Sequence, residues 1–294
     1  MPTFPFMQVD AFTTQRLGGN PCAIIFDCQV LEAATMQAIA REMNLSETSF
    51  VWQKADGHFR ARYFTPAEEI PLAGHPTIAT VFALVETGRV QVSDYRKIPL
   101  ELRDGPIDVE IFAKDGRAER VVMSQRKPKF LRVYTADEVM PAFGLTSADV
   151  LDGAPIQTVS TGTPQIMIPV KNHEALRRSQ LDAKKYTELR RSGDFFSPHL
   201  FCLGGVEVGA TFARHFGAPP DTMEDPFTGS ATGGMAAYLW HYGLIEQPTF
   251  IAEQGHWINR PGRAQVEVIG ARHAIETVKV GGPAVTVLTG ELIL

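Results

Sequence analysis

Three ionisable side chains and one hydroxyl stand where this sequence could move a proton: Glu47, His75, Asp225 and Ser230. Glu47 lies between Ser46 and Thr48, where a helical stretch gives way to a strand-like one. A carboxylate turned into a closed apolar cleft has its pKa raised by desolvation, which suits it to take a proton from carbon and return it. His75 falls in Pro71-Leu-Ala-Gly-His-Pro-Thr-Ile-Ala-Thr80, and Asp225 and Ser230 in Glu224-Asp-Pro-Phe-Thr-Gly-Ser-Ala-Thr-Gly-Gly234. Both segments set a polar cluster among small residues and then run into a helix-like apolar stretch. The first N–H groups of a helix have no intrahelical partner, and the positive end of its dipole points at whatever sits there. Backbone near Gly74, Gly229 and Ser230 is therefore suited to hold a substrate carboxylate or a developing enolate oxygen. His75 and Asp225 would orient the substrate or carry a second proton. Each residue also has a plainer reading. Glu47 fits an exposed strand-end charge, His75 an ordinary first-turn residue before Pro76, Glu224-Asp225 a charge pair placed for the dipole, and Ser230 an N-cap.

Two such openings, one in each half of the chain, suggest two similar halves facing one anion-binding cleft. The elements around them fit that arrangement. Phe6–Phe12 alternates like a strand, a turn at Leu17–Pro21 leads into a strand at Cys22–Phe26, and Leu31–Met43 has helical spacing. Asn44-Leu-Ser46 breaks that helix. Strands then read at 47–52, 59–64, 107–112, 120–123 and 130–134. In the second half, Asp137–Phe143 and Ala148–Leu151 look like short helices, and 157–160 and 165–170 like strands around a Thr161–Pro164 turn. Leu200–Leu203 and Val206–Phe212 also read as strands. Residues 174–192, rich in Arg and Lys, fit solvated helix faces better than a basic binding patch. Many strands with one long apolar helix per half imply a curved, mostly antiparallel sheet around a central helix, twice over; two unrelated α+β domains are the alternative. No low-complexity linker marks a boundary, and Ser124–Lys129 is the best place for one.

Bulk properties narrow the function. The 294 residues are 44% hydrophobic and 21% charged, ordinary globular composition. A net charge of −5 gives no reason to expect nucleic acid or an anionic membrane as partner, and no apolar run approaches a membrane span. Cys22, Cys28 and Cys202 are few and odd in number, with no CxxC, and no export signal is visible. A reducing, cytoplasmic compartment is expected, without a disulfide framework or a metal motif. No dinucleotide fingerprint or phosphate loop is present, so catalysis without a cofactor is the natural hypothesis.

Gly19-Asn-Pro21, Asn44-Leu-Ser-Glu-Thr48, Phe64-Thr-Pro66, Gly74-His-Pro-Thr77 and Glu224-Asp-Pro-Phe-Thr-Gly-Ser-Ala231 together resemble the PhzF-like family of phenazine biosynthesis, in order and spacing, over nearly the whole chain. The resemblance implies an α+β, diaminopimelate-epimerase-like fold: two similar domains, each a barrel-like sheet curled around a helix, with the site between them. Residues 1–125, completed by a last strand at about 283–294, would form one domain and 126–282 the other. It also implies a homodimer without a cofactor that shifts a proton between carbons of a small carboxylated molecule, as trans-2,3-dihydro-3-hydroxyanthranilate isomerase does. Glu47 takes the acid/base role by this likeness, and His75, Asp225 and Ser230 match the other site positions. Two departures stand out: Pro226-Phe227, which places a phenylalanine where it would change the pocket's size, and Asn259-Arg-Pro261 in place of a Gly-Arg-Pro turn. Racemases of the related superfamily use two thiols at the helix mouths, where this chain has none. A non-catalytic metabolite- or protein-binding role is the other rival.

Overall fold

A computed structural model describes residues 1–217 and 223–294. The first half runs β1 (Thr3–Ala11), β2 (Asn20–Phe26), α1 (Ala33–Met43), β3 (Glu47–Gln53), β4 (Phe59–Phe64), β5 (Glu69–Ile70), α2 (Gly74–Glu86), β6 (Tyr95–Leu102), β7 (Gly105–Lys114) and β8 (Arg117–Ser124). The second runs β9 (Lys129–Tyr134), α3 (Ala136–Val139), β10 (Ile156–Ser160), β11 (Pro164–Pro169), α4 (His173–Arg178), α5 (Ala183–Ser192), β12 (Ser197–Leu203), β13 (Thr211–Phe216), β14 (Glu224–Asp225), α6 (Gly229–His241), β15 (Thr249–Gln254), β16 (Gly262–Ala271), β17 (Ala274–Gly282) and β18 (Ala284–Ile293).

Strand pairing repeats from one half to the other. β2 runs parallel to β3, β3 antiparallel to β4, β4 parallel to β6, and β6, β7 and β8 follow as a meander. β11, β12, β13, β15, β16 and β17 reproduce that pattern, parallel contacts included. The repeat reaches side chains. Arg62 of β4 makes a two-pronged ion pair with Glu69 of β5, and Arg214 of β13 does the same with Glu224 of β14. Each guanidinium also lies over the phenylalanine two residues on, Phe64 or Phe216. Antiparallel β8–β17 pairing joins the halves, and β18 pairs with β1.

Each sheet wraps a helix that has no polar face. Gly74 through Val85 of α2 are all buried, as are Gly229 through Leu239 of α6. A helix buried on every side must be surrounded, which is why a sheet curls about each one. Side chains of both helices belong to one continuous core with the strand residues Val9, Ile24, Val109, Val266 and Val278. α1, by contrast, buries Met36, Ile39 and Ala40 and stays on the outside. It stops at Asn44, whose left-handed backbone (φ 51°) lets its N–H reach the Ala40 carbonyl and turns the chain into β3.

The sequence reading departs from the structure in two strands. Val206–Ala210 is not strand; β13 starts at Thr211. The carboxylate of Glu253, on β15, accepts hydrogen bonds from the backbone N–H of Val206, Glu207, Val208 and Gly209 at 2.7–2.9 Å. Four charge-assisted bonds to a buried carboxylate outcompete a strand ladder. β6, with the polar sequence Tyr-Arg-Lys-Ile-Pro-Leu-Glu-Leu, was not anticipated. It places Ile98, Leu100 and Leu102 in the core and its charges outside.

Candidate active site

The two buried helices meet end to end. A methyl group added to Gly74 would lie 2.5 Å from the Ser230 backbone nitrogen and 2.7 Å from Gly229 Cα, and one added to Gly229 would lie 3.2 Å from Gly74 Cα. Only glycine lets two helix N-termini come this close, and their positive ends then share one space. That space opens into a cavity of about 430 Å³ lined by both halves.

Glu47, Asp225 and Ser230 line its wall, and His75 is buried directly behind Glu47. Glu47, the first residue of β3, brings Oε2 to 3.3 Å from Nδ1 of His75, the second residue of α2. Asp225 ends β14, and Asn20 connects it to His75. The Asn20 Nδ2 group donates to Asp225 Oδ1 at 2.7 Å and to the Phe227 carbonyl at 2.8 Å, and lies 2.9 Å from His75 Nδ1. Thr228 donates its hydroxyl to Asp225 Oδ2 at 2.6 Å. Thr228, not Ser230, is the residue that precedes α6; the Ser230 hydroxyl instead accepts from Gln165 Nε2 at 3.0 Å. The start of α6 is further fixed by Gln254, which donates to the Asp225 carbonyl, and by Gln125, which donates to the Gly229 carbonyl.

Electrostatics set the charge states. Burial drives the His75 imidazole down to about 4, against the opposing pull of Asp225 and the Pro21 carbonyl. Burial also takes His215 down to about 4 and holds His199, 3.3 Å away, well below the usual histidine range. Burial would raise Asp225, but the adjacent His75 and His215 and the Ser46 and Thr228 hydroxyls outweigh it and hold its carboxyl below the usual value. At neutral pH the cluster therefore contains an ionised Asp225 between neutral imidazoles. His75 Nδ1 is within reach of both Glu47 and Asn20, so a proton on Glu47 has a neighbour able to share it.

Glu47, His75 and Asp225 bring one ligand atom each within 4.8 Å of one another, close enough to consider a cation. An Asn20 N–H points at Asp225 Oδ1, and the same Nδ2 lies 2.9 Å from His75 Nδ1. A donor amide in that position fits carboxylate and imidazole acceptors, and a cation bound there would face its hydrogens.

Several site residues escaped the sequence reading. Asn20 was seen only as part of a turn motif and Gln165 as a strand residue, while Ser197 and His215 fell outside the strands read, although β12 and β13 include them; nothing local marks a strand side chain as facing a cleft. The expected effect of Phe227 on the pocket is not found. It is fully buried, stacks on Phe12 with ring centroids 4.4 Å apart, and lies outside the cavity wall. The three cysteines are buried and none lines the cavity; Cys22 stands opposite Glu47 in the β2–β3 pairing, beneath the wall. A second cavity, about 730 Å³, lies beside Phe12 and Pro283, and its arginines are already engaged, Arg263 with Glu207 and Arg120 with Gln265.

Comparison with known proteins agrees with this architecture. Residues 9–290 match the family model described as phenazine biosynthesis-like protein. An uncharacterized isomerase of Bacillus subtilis is 34% identical over 266 residues, 89% of each chain. The trans-2,3-dihydro-3-hydroxyanthranilate isomerase of Pseudomonas aeruginosa is 32% identical over 281 residues, covering 94% of this chain and 95% of its own. A PhzF-family phenazine biosynthesis protein of Bacillus anthracis superposes over the whole of both chains with a TM-score of 0.88 at 31% identity. The epimerase-like fold extends to a hydroxyproline epimerase of Agrobacterium vitis, TM-score 0.71 at 11% identity, over 99% of this chain and 93% of its own. With its duplicated sheet-around-helix fold and one carboxylate, one imidazole and one aspartate gathered at two facing helix ends, the chain is an isomerase belonging to the phenazine biosynthesis-like, PhzC-PhzF, family.

Proposed function

We propose that this protein isomerises a small, carboxylated, conjugated or cyclic substrate by moving one proton between two of its carbons, without a cofactor. Glu47 takes the proton from an acidified C–H. The electron pair left behind spreads through the unsaturated system, and the protonated Glu47 returns the proton at a second carbon. Nothing is oxidised or lost, so the product is an isomer. The N–H groups at the joined starts of α2 and α6 bind the carboxylate and the negative charge that develops beside it. His75 stabilises and orients the Glu47 proton, and Asp225, fixed by Asn20 and Thr228, holds His75 and the substrate in place. The observation that carries this reading is the 3.3 Å approach of Glu47 to His75 at the mouth shared by two helices. The substrate of the Pseudomonas relative, trans-2,3-dihydro-3-hydroxyanthranilate, has the required acidified position and carboxylate and is the first compound to test.

The experiment is proton exchange in heavy water, first with that compound and then with metabolite extracts, comparing wild type with Glu47→Gln. Removing the base should abolish deuterium incorporation, a loss of at least about 10³-fold, the upper range for general acid–base catalysis, while ligand binding stays within a few-fold. Wild-type exchange in the variant would refute the role of Glu47.

A further inference from the structure

The duplication assigns a counterpart to the base. In the first half, Cys22 of β2 stands opposite Glu47 of β3; in the second, Gln165 of β11 stands opposite Ser197 of β12, at the same point of the same parallel pairing. Ser197 thus occupies the place of Glu47, and both line the 430 Å³ cavity. The residues are 8% and 2% exposed for Ser197 and Gln165 respectively. Ser197 Oγ and Gln165 Oε1 are both buried without a hydrogen-bond partner. The other end of the Gln165 amide is engaged with Ser230. Turning the amide over would bring Oε1 to the serine hydroxyl and leave Nε2 unmatched instead. Buried polar atoms are rarely left unpaired, because each forfeits its bonds to water. Two on facing residues at one cavity wall mark a place that a ligand completes.

We propose that Gln165 and Ser197 form a subsite for a hydroxyl or amino substituent of the substrate, next to its carboxylate. The inference rests on the functional reading above, in which the helix mouths and Ser230 hold that carboxylate. With Nε2 committed to Ser230, Gln165 Oε1 is left to accept, so the ligand group donates an N–H or O–H; the serine hydroxyl can then donate back to it or accept from it. A second carboxylate would meet Oε1 with like polarity and is excluded from this position. The hydrogen bond from Gln165 to Ser230 places this subsite beside the helix mouth that takes the carboxylate. Thr48 and Thr211 also carry unpaired buried hydroxyls, but neither lines the cavity, and neither shares this role.

Binding of benzoate and of 2-aminobenzoate, measured by calorimetry on wild type, Ser197→Ala and the size-matched Gln165→Met, tests the subsite. Wild type should bind 2-aminobenzoate about tenfold more tightly than benzoate, as expected for one well-made hydrogen bond. Ser197→Ala should cut that preference to about threefold or less without changing benzoate affinity; Gln165→Met should cut the preference as far while also weakening both ligands, because it removes the bond that fixes Ser230. The unliganded Ser197→Ala protein should melt no lower than wild type, because the missing hydroxyl had no partner. Equal affinities for the two ligands in wild type, or an equal loss for both in Ser197→Ala, would overturn the subsite while leaving the carboxylate site standing. Failure of both compounds to bind wild type would overturn the subsite and the carboxylate site together.

Discussion

Alanine at position 74 should separate the two helix ends on which the site depends. Its methyl carbon would lie 2.5 Å from the Ser230 nitrogen and 2.7 Å from Gly229 C and Cα, and these are backbone atoms of the opposite half, which cannot rotate away. Ordinary contact begins near 3.4 Å, so the halves must part by roughly 1 Å at this point. Overpacking of this kind costs about 1–3 kcal/mol. At about 2–4 °C per kcal/mol for a large domain, the melting temperature should fall by several degrees. Catalysis should suffer more, because Glu47 sits on one side of the opened joint and Asp225 on the other. A misplacement of about 1 Å in a positioned active site costs on the order of 100-fold in rate. The assays are thermal unfolding and the rate of heavy-water exchange. Gly290→Ala is the control, since a methyl there meets nothing within 4 Å and the residue has no left-handed backbone. Wild-type melting and turnover in Gly74→Ala would refute the claim that the helix ends abut and that their contact sets the site.

Acidification should destabilise the protein before its carboxylates titrate. His75 and His215 stay neutral in the folded state until about pH 4, and burial holds His199 well below its usual range, whereas the unfolded chain protonates all three at about 6.5. The unfolded state therefore binds more protons between these values, so melting temperature should fall as pH drops from 6.5 towards 4, and the lowered Asp225 adds to the loss below its ordinary value of 3.8. A flat melting profile over that range would contradict the buried neutral imidazoles. Glu253→Ala should free the loop amides of residues 206–209, seen as faster hydrogen exchange there and a loss of about 2 kcal/mol in stability; unchanged protection would show that the loop holds itself. Burial pushes the Cys28 and Cys202 thiols up to about 12 and Cys22 well above its ordinary value, so iodoacetamide applied to the folded protein at pH 8 should leave activity intact. Inactivation would reopen a thiol mechanism.

The sequence was most informative where function forces unusual composition. Gly74-His75-Pro76 and Thr228-Gly229-Ser230 stand out because small residues are needed where two backbones touch, and the apolar runs behind them stand out because each helix is enclosed. Glu47 was found because a helix stop and a strand start bracket it. The partners that tune these groups were hidden for the opposite reason. Asn20 reaches Asp225 across 205 positions of chain, and His215 is one residue of an ordinary-looking strand, so neither leaves a local pattern. The misread stretch Val206–Ala210 has strand-like composition and is held in another shape by a carboxylate more than 40 residues away. The repeated Arg62–Glu69 and Arg214–Glu224 pairs were in plain view, but their equivalence emerges only once the strand pairings are aligned.

The pairing of β18 with β1 bears on how the chain folds as it is made. Strands 9 to 17 can be assembled around α6 once residue 282 has left the ribosome, yet the first half lacks the strand that pairs with β1 until the whole second half has been made. Emerging chains ordinarily settle from the N-terminus onward. Here β1 must keep one edge open until residues 284–293 have emerged, long after the rest of the first half.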